Sequence, residues 1–585
     1  MMKLVDPAHR RRLLWSIAVG VAFLWCGRRD LSAAEPVGRD LLPTDALLVV
    51  EIHQPVKLIH HPLIHKVVAE LGRSEDVRRR LASDELEPLR QMRAFLERSL
   101  GVGWQKGVSR LTAGGVTFAV TVPPKSTTLF VVTADQPGTL KTLTTAFRRE
   151  LSRRGGKIPS KSYRSAVGYK IGDIWYTVIG KRMLISNNGE QLKGMVDRLL
   201  DWKSTARPER SASAVPAPAV RARLDLIALR KLPSLAEPLK IPSENAGRLT
   251  AIGGWIDLVR RGSSATVELS ASGEAIDLRL SVAAGALGVT PGLDGFFATS
   301  ANQRAAPLLK PPGTIYTASW YRDYASLWNS RKKLVTPAVA KRLEQRNEEI
   351  RQQLSVFGGQ TAPAKIVQSM GPHFRLVVAR QRKSLYRVPM RNRLPAAAFV
   401  FDLRDQAAFG AQALPLLRGI GLIAAVSETK ALSVTSKHRG AVLTTIRFRD
   451  DPAAARTGNR VRYNFSPTYT ITRQHLILGS TREIVREVID QLNRSPAAAG
   501  APHPATELQY LSCVQLAGAL QDSGEAIARG LVLNSGLSLD EAHDEANHLL
   551  RVLKSLGGLT VRSSFDAEKF EVRLRLHGRT DRSSR

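Results

Sequence analysis

Segments from the first half of this chain return in the second half, in the same order and at nearly constant spacing, and this constrains the fold more than any single motif. Pro43 to His53 (PTDALLVVEIH) and Pro312 to Arg322 (PGTIYTASWYR) each read as a proline-led strand running into a helix start. Thr128 to Gln136 (TLFVVTADQ) and Ala397 to Asp405 (AAFVFDLRD) make a second pair. Pro43 and Pro312, like Phe130 and Phe399, are 269 positions apart. The third pair is Tyr176 to Ser186 (YTVIGKRMLIS) with Thr468 to Leu478 (TYTITRQHLIL), each a hairpin that enters a short polar turn and then an amphipathic helix, Glu190 to Leu200 and Arg482 to Leu492. Leu192, Val196 and Leu200 fall at helical spacing, as do Ile484, Val488 and Leu492. The offset has grown to 292 there, so the second copy has gained residues.

Both copies continue into Pro/Ala/Ser-rich stretches, Ser204 to Val220 and Ser495 to Thr506, whose composition predicts exposed loops. A further strand is expected at Leu224 to Leu229 and at Leu511 to Leu516. Ile252-Gly253-Gly254 then pairs with Leu556-Gly557-Gly558, each followed by alternating strands that end in Ile276 to Leu280 and Phe570 to Leu574. Leu278 and Leu280 alternate with Asp277 and Arg279, the pattern of a strand with one wet face.

At 585 residues the chain exceeds what one core usually serves, and a hydrophobic content of 43% is enough for two. Helices are expected over Lys66 to Leu100, Pro337 to Val356 and Leu539 to Leu556, amid strands that mostly alternate. The predicted fold is therefore α+β: two tandem homologous domains, each a mainly antiparallel sheet with helices packed on it. The expected order is a signal peptide over 1–34, a first repeat domain over 35–283, a linker over 284–311, a second repeat domain over 312–577 and a basic tail over 578–585.

The export signal rests on Arg10-Arg11-Arg12, the apolar run Leu13 to Gly27, and Ser32-Ala33-Ala34 before Glu35. The run is shorter than the roughly 20 residues a spanning helix needs. Arg28-Arg29-Asp30 after it leave an uncleaved anchor as the alternative, and Phe23 and Trp25 argue against lipidation at Cys26. The mature chain would then keep one cysteine, Cys513, which excludes an internal disulfide. Cys513 is expected mid-strand as a small buried residue, with His503 in a loop offering no base.

A net charge of +35 invites a nucleic-acid reading, but the basic residues are spread along the chain and no nucleic-acid motif accompanies them. The expected partner is instead an anionic envelope component, a lipid headgroup or polymer, with no nucleic acid. Arg380, Arg382, Lys383, Arg387, Arg391 and Arg393 form the candidate anion-binding patch; the alternative is a solvated loop joining two strands.

Chemistry is harder to find. His53, His60, His61 and His65 cluster, but no acidic general base accompanies them and Pro62 interrupts the helix between two of them. The copy-two positions at the same offset are Arg322, Asn329, Ser330 and Leu334. Ser427-Glu-Thr-Lys430 and Ser330-Arg-Lys-Lys333 fit Ser-x-x-Lys without companion motifs, and there is no nucleophile elbow, Walker loop or dinucleotide fingerprint. Glu51 and Asp225 sit in expected strands, with Trp320 and Ser512 as their counterparts. Trp320, Tyr321, Tyr324 and Trp328 are expected in the core. No catalytic residue, metal or cofactor is expected.

The Leu42-Pro43-Thr44-Asp45 opening, together with the strand-turn-helix segments Met183 to Leu200 and His475 to Leu492, resembles a family of exported bacterial proteins carrying a domain of unknown function. The resemblance implies an extracytoplasmic α+β protein and supplies no catalytic residues. The function expected is a non-enzymatic binding or scaffolding protein of the cell envelope, using a surface or groove between the copies. The alternatives are an envelope hydrolase assembled from distant segments and a lipid carrier whose curved sheets enclose an apolar cavity. A pocket with convergent His, Asp, Glu or Ser would favour the enzyme; an apolar or basic groove would favour binding.

Overall fold

The structure is a computed structural model that describes residues 38–53, 61–121, 126–202, 218–283, 289–298, 303–355, 362–387, 393–426, 431–450, 461–494, 505–565 and 569–578. The expected signal peptide with Cys26, His60, Arg391, Ser427 to Lys430, His503, the basic tail after Gly578 and almost all of the two Pro/Ala/Ser-rich stretches lie outside the described residues. Contacts divide the chain into two compact units, Met1–Leu232 with Ser263–Leu280, and Pro233–Gly262 with Ser281–Arg585.

The first unit carries strands β1 (Leu48–Ile52), β2 (Val116–Val120), β3 (Thr128–Thr133), β4 (Ser160–Tyr163), β5 (Ala166–Ile171), β6 (Ile174–Ile179), β7 (Arg182–Ser186), β8 (Val220–Asp225), β9 (Ser264–Ser272) and β10 (Ala275–Ala283). They are hydrogen-bonded in the order β4-β5-β6-β7-β3-β2-β1-β8-β9-β10, antiparallel at every ladder from β4 to β9. Its helices are α1 (Pro62–Leu71), α2 (Glu75–Ala82), α3 (Glu87–Leu100), α4 (Trp104–Leu111), α5 (Pro137–Arg153), α6 (Gly189–Leu200) and α7 (Leu226–Arg230). Alternation along the strands serves two cores. Leu129, Val131 and Leu184 pack against Leu192, Met195 and Val196 of α6. On the other face Val132, Tyr176 and Met183 pack against Leu111 of α4, Leu140 and Leu143 of α5, and Phe95 and Leu100 of α3.

The second unit carries α8 (Pro233–Ala236), α9 (Ala246–Arg261), α10 (Tyr324–Leu334), α11 (Pro337–Ser355), α12 (Pro363–Ser369), α13 (Gln406–Val426), α14 (Arg482–Arg494), α15 (Cys513–Gln521), α16 (Gly524–Ser535) and α17 (Leu539–Ser555). Its strands are β11 (Thr314–Tyr321), β12 (Met370–Ala379), β13 (Ala396–Leu403), β14 (Leu432–His438), β15 (Ala441–Arg447), β16 (Thr468–Thr472), β17 (His475–Gly479), β18 (Glu507–Ser512), β19 (Leu556–Phe565) and β20 (Lys569–Gly578). They run β14-β15-β16-β17-β13-β12-β11-β18-β19-β20, all antiparallel, the order of the first unit with each number raised by ten. One face packs Val377, Ala398, Val400 and Ile477 against Ile484, Val485, Val488 and Ile489 of α14. The other sets Phe401, Leu403, Leu476 and Leu478 under Phe409, Ala413 and Leu417 of α13, with Ile366 of α12 beside them.

The fold is α+β with an antiparallel sheet, as the alternating patterns predict. Several boundaries differ. Phe130 and Phe399 take matching ladder positions, each opposite a β7 or β17 residue, Ile185 and Leu478, which in turn face Tyr176 and Tyr469. The hairpins therefore match at an offset of 293, not 292, and a slip of one residue exchanges the two faces of a strand. The strands expected to run to Leu229 and Leu516 stop at Asp225 and Ser512, which cap α7 and α15: the Asp225 carboxylate accepts from Ala228 N–H at 2.8 Å and the Ser512 hydroxyl from Gln515 N–H at 3.3 Å. Cys513 is thus the first residue of a helix rather than mid-strand, and it is buried. Pro62 does not interrupt a helix but opens α1, at the position where a missing N–H costs nothing. The helical stretch expected from Lys66 is three helices, α1 to α3. Along β10, Ile276 to Ser281 are all half-buried, so the face of Asp277 and Arg279 is not a fully wetted one.

The two glycine pairs are not equivalents either. Gly557-Gly558 lies in β19, whereas Gly253-Gly254 lies in the middle of α9. A β-carbon on Gly254 would stand 2.8 Å from Cβ of Phe296 and 2.9 Å from the Phe297 ring. Residues Pro233–Gly262, which precede β9 in the sequence, pack with the second unit through this contact. Trp255 meets Phe570 edge-on at 5.0 Å, Phe297 stacks on Phe565 at 4.8 Å, and buried Asp257 accepts from Thr290 N–H at 2.8 Å.

Candidate functional site

Across β11, β12 and β13, register sets Trp320 opposite Phe374 and Phe374 opposite Phe401. The rings make a ladder, with Trp320 stacked on Phe374 at 5.1 Å and Phe374 at 5.9 Å from Phe399. Helix α13 lays Phe409, Ala413 and Leu417 on this face, and Phe399 stays 40% exposed. Beside it lies an apolar groove of about 340 Å³, open to solvent on one side. Phe399, Leu417, Ile446, Pro467, Tyr469 and Leu478 are among the residues that line it. Two of its hydroxyls are engaged: Ser480 Oγ accepts from Ala397 N–H at 2.9 Å, and Thr468 Oγ1 donates to Ser466 O at 2.8 Å. A groove of this mainly apolar lining can take hydrocarbon.

The loop after β12 holds the sequence-predicted basic patch and is stitched to the same end of the sheet. Gln381 Nε2 donates to Asn464 O at 2.9 Å, Tyr386 hydroxyl to Phe465 O at 2.7 Å, and Leu394 N–H to Asn464 Oδ1 at 2.8 Å, close in sequence to Pro467. The described residues of the patch differ in what they engage. Arg380 spends its guanidinium on a two-pronged ion pair with Asp522, at 3.0 and 2.9 Å. Arg382 and Lys383 are exposed and lie near Glu487, whose carboxyl burial pushes up against their opposing charge. Arg387 is exposed, with its backbone N–H on Asp450, and Arg393 is exposed. Arg418, on α13 next to Leu417, is exposed as well.

At the other end of these strands sits a charged cluster that sequence spacing did not bring together. Asp402 at the end of β13 receives Arg375 Nη2 at 3.1 Å, His373 Nδ1 at 3.1 Å and His475 Nε2 at 3.2 Å. Burial opposes ionisation of Asp402, yet the hydrogen bonds from both histidines and the charge of Arg375 outweigh it and hold the carboxyl far below the usual range. Burial pulls the Arg375 guanidinium down from its ordinary value, against the attraction of Asp402. The remaining ring nitrogens face carbonyls, His373 Nε2 on Arg304 O at 2.8 Å and His475 Nδ1 on Arg473 O at 2.7 Å. With both nitrogens turned on oxygen acceptors, neither ring presents a free lone pair to a substrate, and the cluster reads as a structural clamp.

The other sequence candidates stay apart. His61 is buried just before α1, with neither ring nitrogen hydrogen-bonded among the described residues, and His65 is exposed. Among the described residues no three His, Cys, Asp or Glu side chains are placed to hold a metal ion. Ser330 packs on Gly292 within α10, and burial pushes the Cys513 thiol up. Trp320 belongs to the aromatic ladder, Tyr321 meets the His373 ring edge-on, and Arg331 lies over Trp328 at 4.5 Å. Among the described residues no helix is long and apolar enough to cross a membrane.

No protein-family model and no curated protein matches the chain. Among solved structures, crystal form III of TP0453 is 11% identical with a TM-score of 0.23, covering 43% of this chain and 81% of that one. Crystal form IV gives 9%, 0.23, 42% and 80%, and crystal form I gives 12%, 0.22, 43% and 81%. Likeness at that level carries no argument about function.

Proposed function

We propose that this is an exported, non-enzymatic binding protein of the cell envelope, and that its second unit holds the acyl chain of an anionic lipid. The observation that carries the reading is the open groove walled by Phe399, Leu417, Ile446, Tyr469 and Leu478. Its volume of about 340 Å³ lies at the low end of the roughly 300–1,000 Å³ of small-molecule sites, which suits one chain better than two. Arg387, Arg393 and Arg418 stand exposed on the segments that frame it, so a negative headgroup left outside meets positive charge. Export rests on the basic, apolar and small-residue order of residues 10–34.

The test is a chain-length series. Purified residues 35–585 are stripped of lipid and titrated with saturated fatty acids by displacement of a fluorescent analogue. Affinity is expected to rise about fourfold per added methylene, from about 0.8 kcal/mol each, and to level off once the groove is full. Affinity independent of chain length, or no binding at any length, would sink the reading.

A further inference from the structure

Resting on that reading, we infer that Leu417 and Thr444 are the positions that open the groove and set what it admits. The two units have the same strand order, so positions on these ladders can be matched between them. Tyr469 faces Leu478 as Tyr176 faces Ile185. On the next strand Thr444 stands opposite Tyr469, where Tyr169 stands opposite Tyr176. Helices α5 and α13 both follow the β3 and β13 strands at the 269-residue offset, which aligns Arg148 with Leu417.

In the first unit these positions fill the face. The Arg148 guanidinium lies over the Tyr169 ring at 4.3 Å, and Tyr169 stacks on Tyr176 at 5.4 Å. Phe118 and Phe130 add a second pair of rings, 4.8 Å apart. The second unit has Leu417, Thr444 and Leu376 at the matching places, each smaller than its counterpart. The stack of cation on ring on ring is gone, and Leu417 lines hydrocarbon-sized space instead. Exchanging a tyrosine for a threonine removes an aromatic ring's volume, and exchanging an arginine for a leucine removes a charge that would repel an apolar chain from the wall. The second unit accordingly admits an unbranched hydrocarbon, while the first unit is the filled form of the same face.

The experiment uses the mature chain and the neutral fluorophore N-phenyl-1-naphthylamine beside a fatty acid. L417R/T444Y is expected to lose about tenfold or more in affinity for the fluorophore, the scale of a pocket's response to small changes in side-chain volume. R148L/Y169T is expected to raise the stoichiometry from about one to about two per chain. Thermal melts check that each variant folds; T444Y alone, which adds no buried charge, replaces the double variant if that one unfolds. Equal fluorophore binding by wild type and the closed variant overturns the inference whatever the fatty acid does, and so does an unchanged stoichiometry in R148L/Y169T. A clear loss of fluorophore binding in the closed variant, with no fatty-acid binding by wild type, supports the inference and removes the acyl-chain reading.

Discussion

Asp402 gathers the charged groups at the far end of the second unit's strands. Three donors from β12 and β17 converge on it, and one of them, Arg375, is buried. D402N would leave that guanidinium without its anion, and a loss of about 3 kcal/mol is expected in urea melts at pH 7. The pH dependence has a definite sign. The native carboxyl is held below its unfolded value, so its contribution is present above about pH 4 and fades as pH falls toward the native value. The gap between wild type and D402N should therefore narrow in acid; a gap that widens there contradicts the assignment. Nothing in the sequence announced this cluster, because His373, Asp402 and His475 come from three strands brought together only by ladder register. Cys513 was legible as buried but not as helical: Leu511, Cys513 and Leu516 satisfy a short strand as well as a helix start.

The helix starts carry their own signal in the sequence. An aspartate and a serine stand at matching positions, Asp225 and Ser512, each just ahead of an apolar stretch. Both residue types favour the N-cap. D225A and S512A are each expected to lower stability by about 1 kcal/mol, read as a fall in the thermal midpoint. The apolar alternation of β13, β16 and β17 made the sheet legible, since period two is a property of each strand alone. The groove was not legible, because its lining is gathered from β13, β15, β16, β17 and α13 only once the sheet has formed. The basic loop was found by composition, yet composition could not separate Arg380, held by Asp522, from the exposed Arg387 and Arg393. R387Q/R393Q should weaken binding of dodecanoate a few-fold, the scale of surface charges, and leave dodecanol unchanged. Equal losses for acid and alcohol would speak against a headgroup contact.

For the whole molecule, the order of the sequence and the order of packing diverge at one place. Residues Pro233–Gly262 precede β9, but α9 buries its glycine pair on Phe296 and Phe297 of the second unit. Sequence position cannot report this, since a helix between two strands has no mark for the core it joins. Residues 281–585 produced alone would expose those rings and Phe570, and are expected to aggregate or melt well below the same segment preceded by residues 233–262. Equal melting of the two fragments would show the α9 contact to be dispensable. Recurrence in the sequence and identical strand order still leave the two units unlike where α5 and α13 meet the sheet, one face stacked full and the other open. On the acyl-chain reading, with one groove per chain, uptake is expected to follow a plain hyperbola with a Hill slope near one. Steeper saturation would have to come from self-association rather than from within the polypeptide.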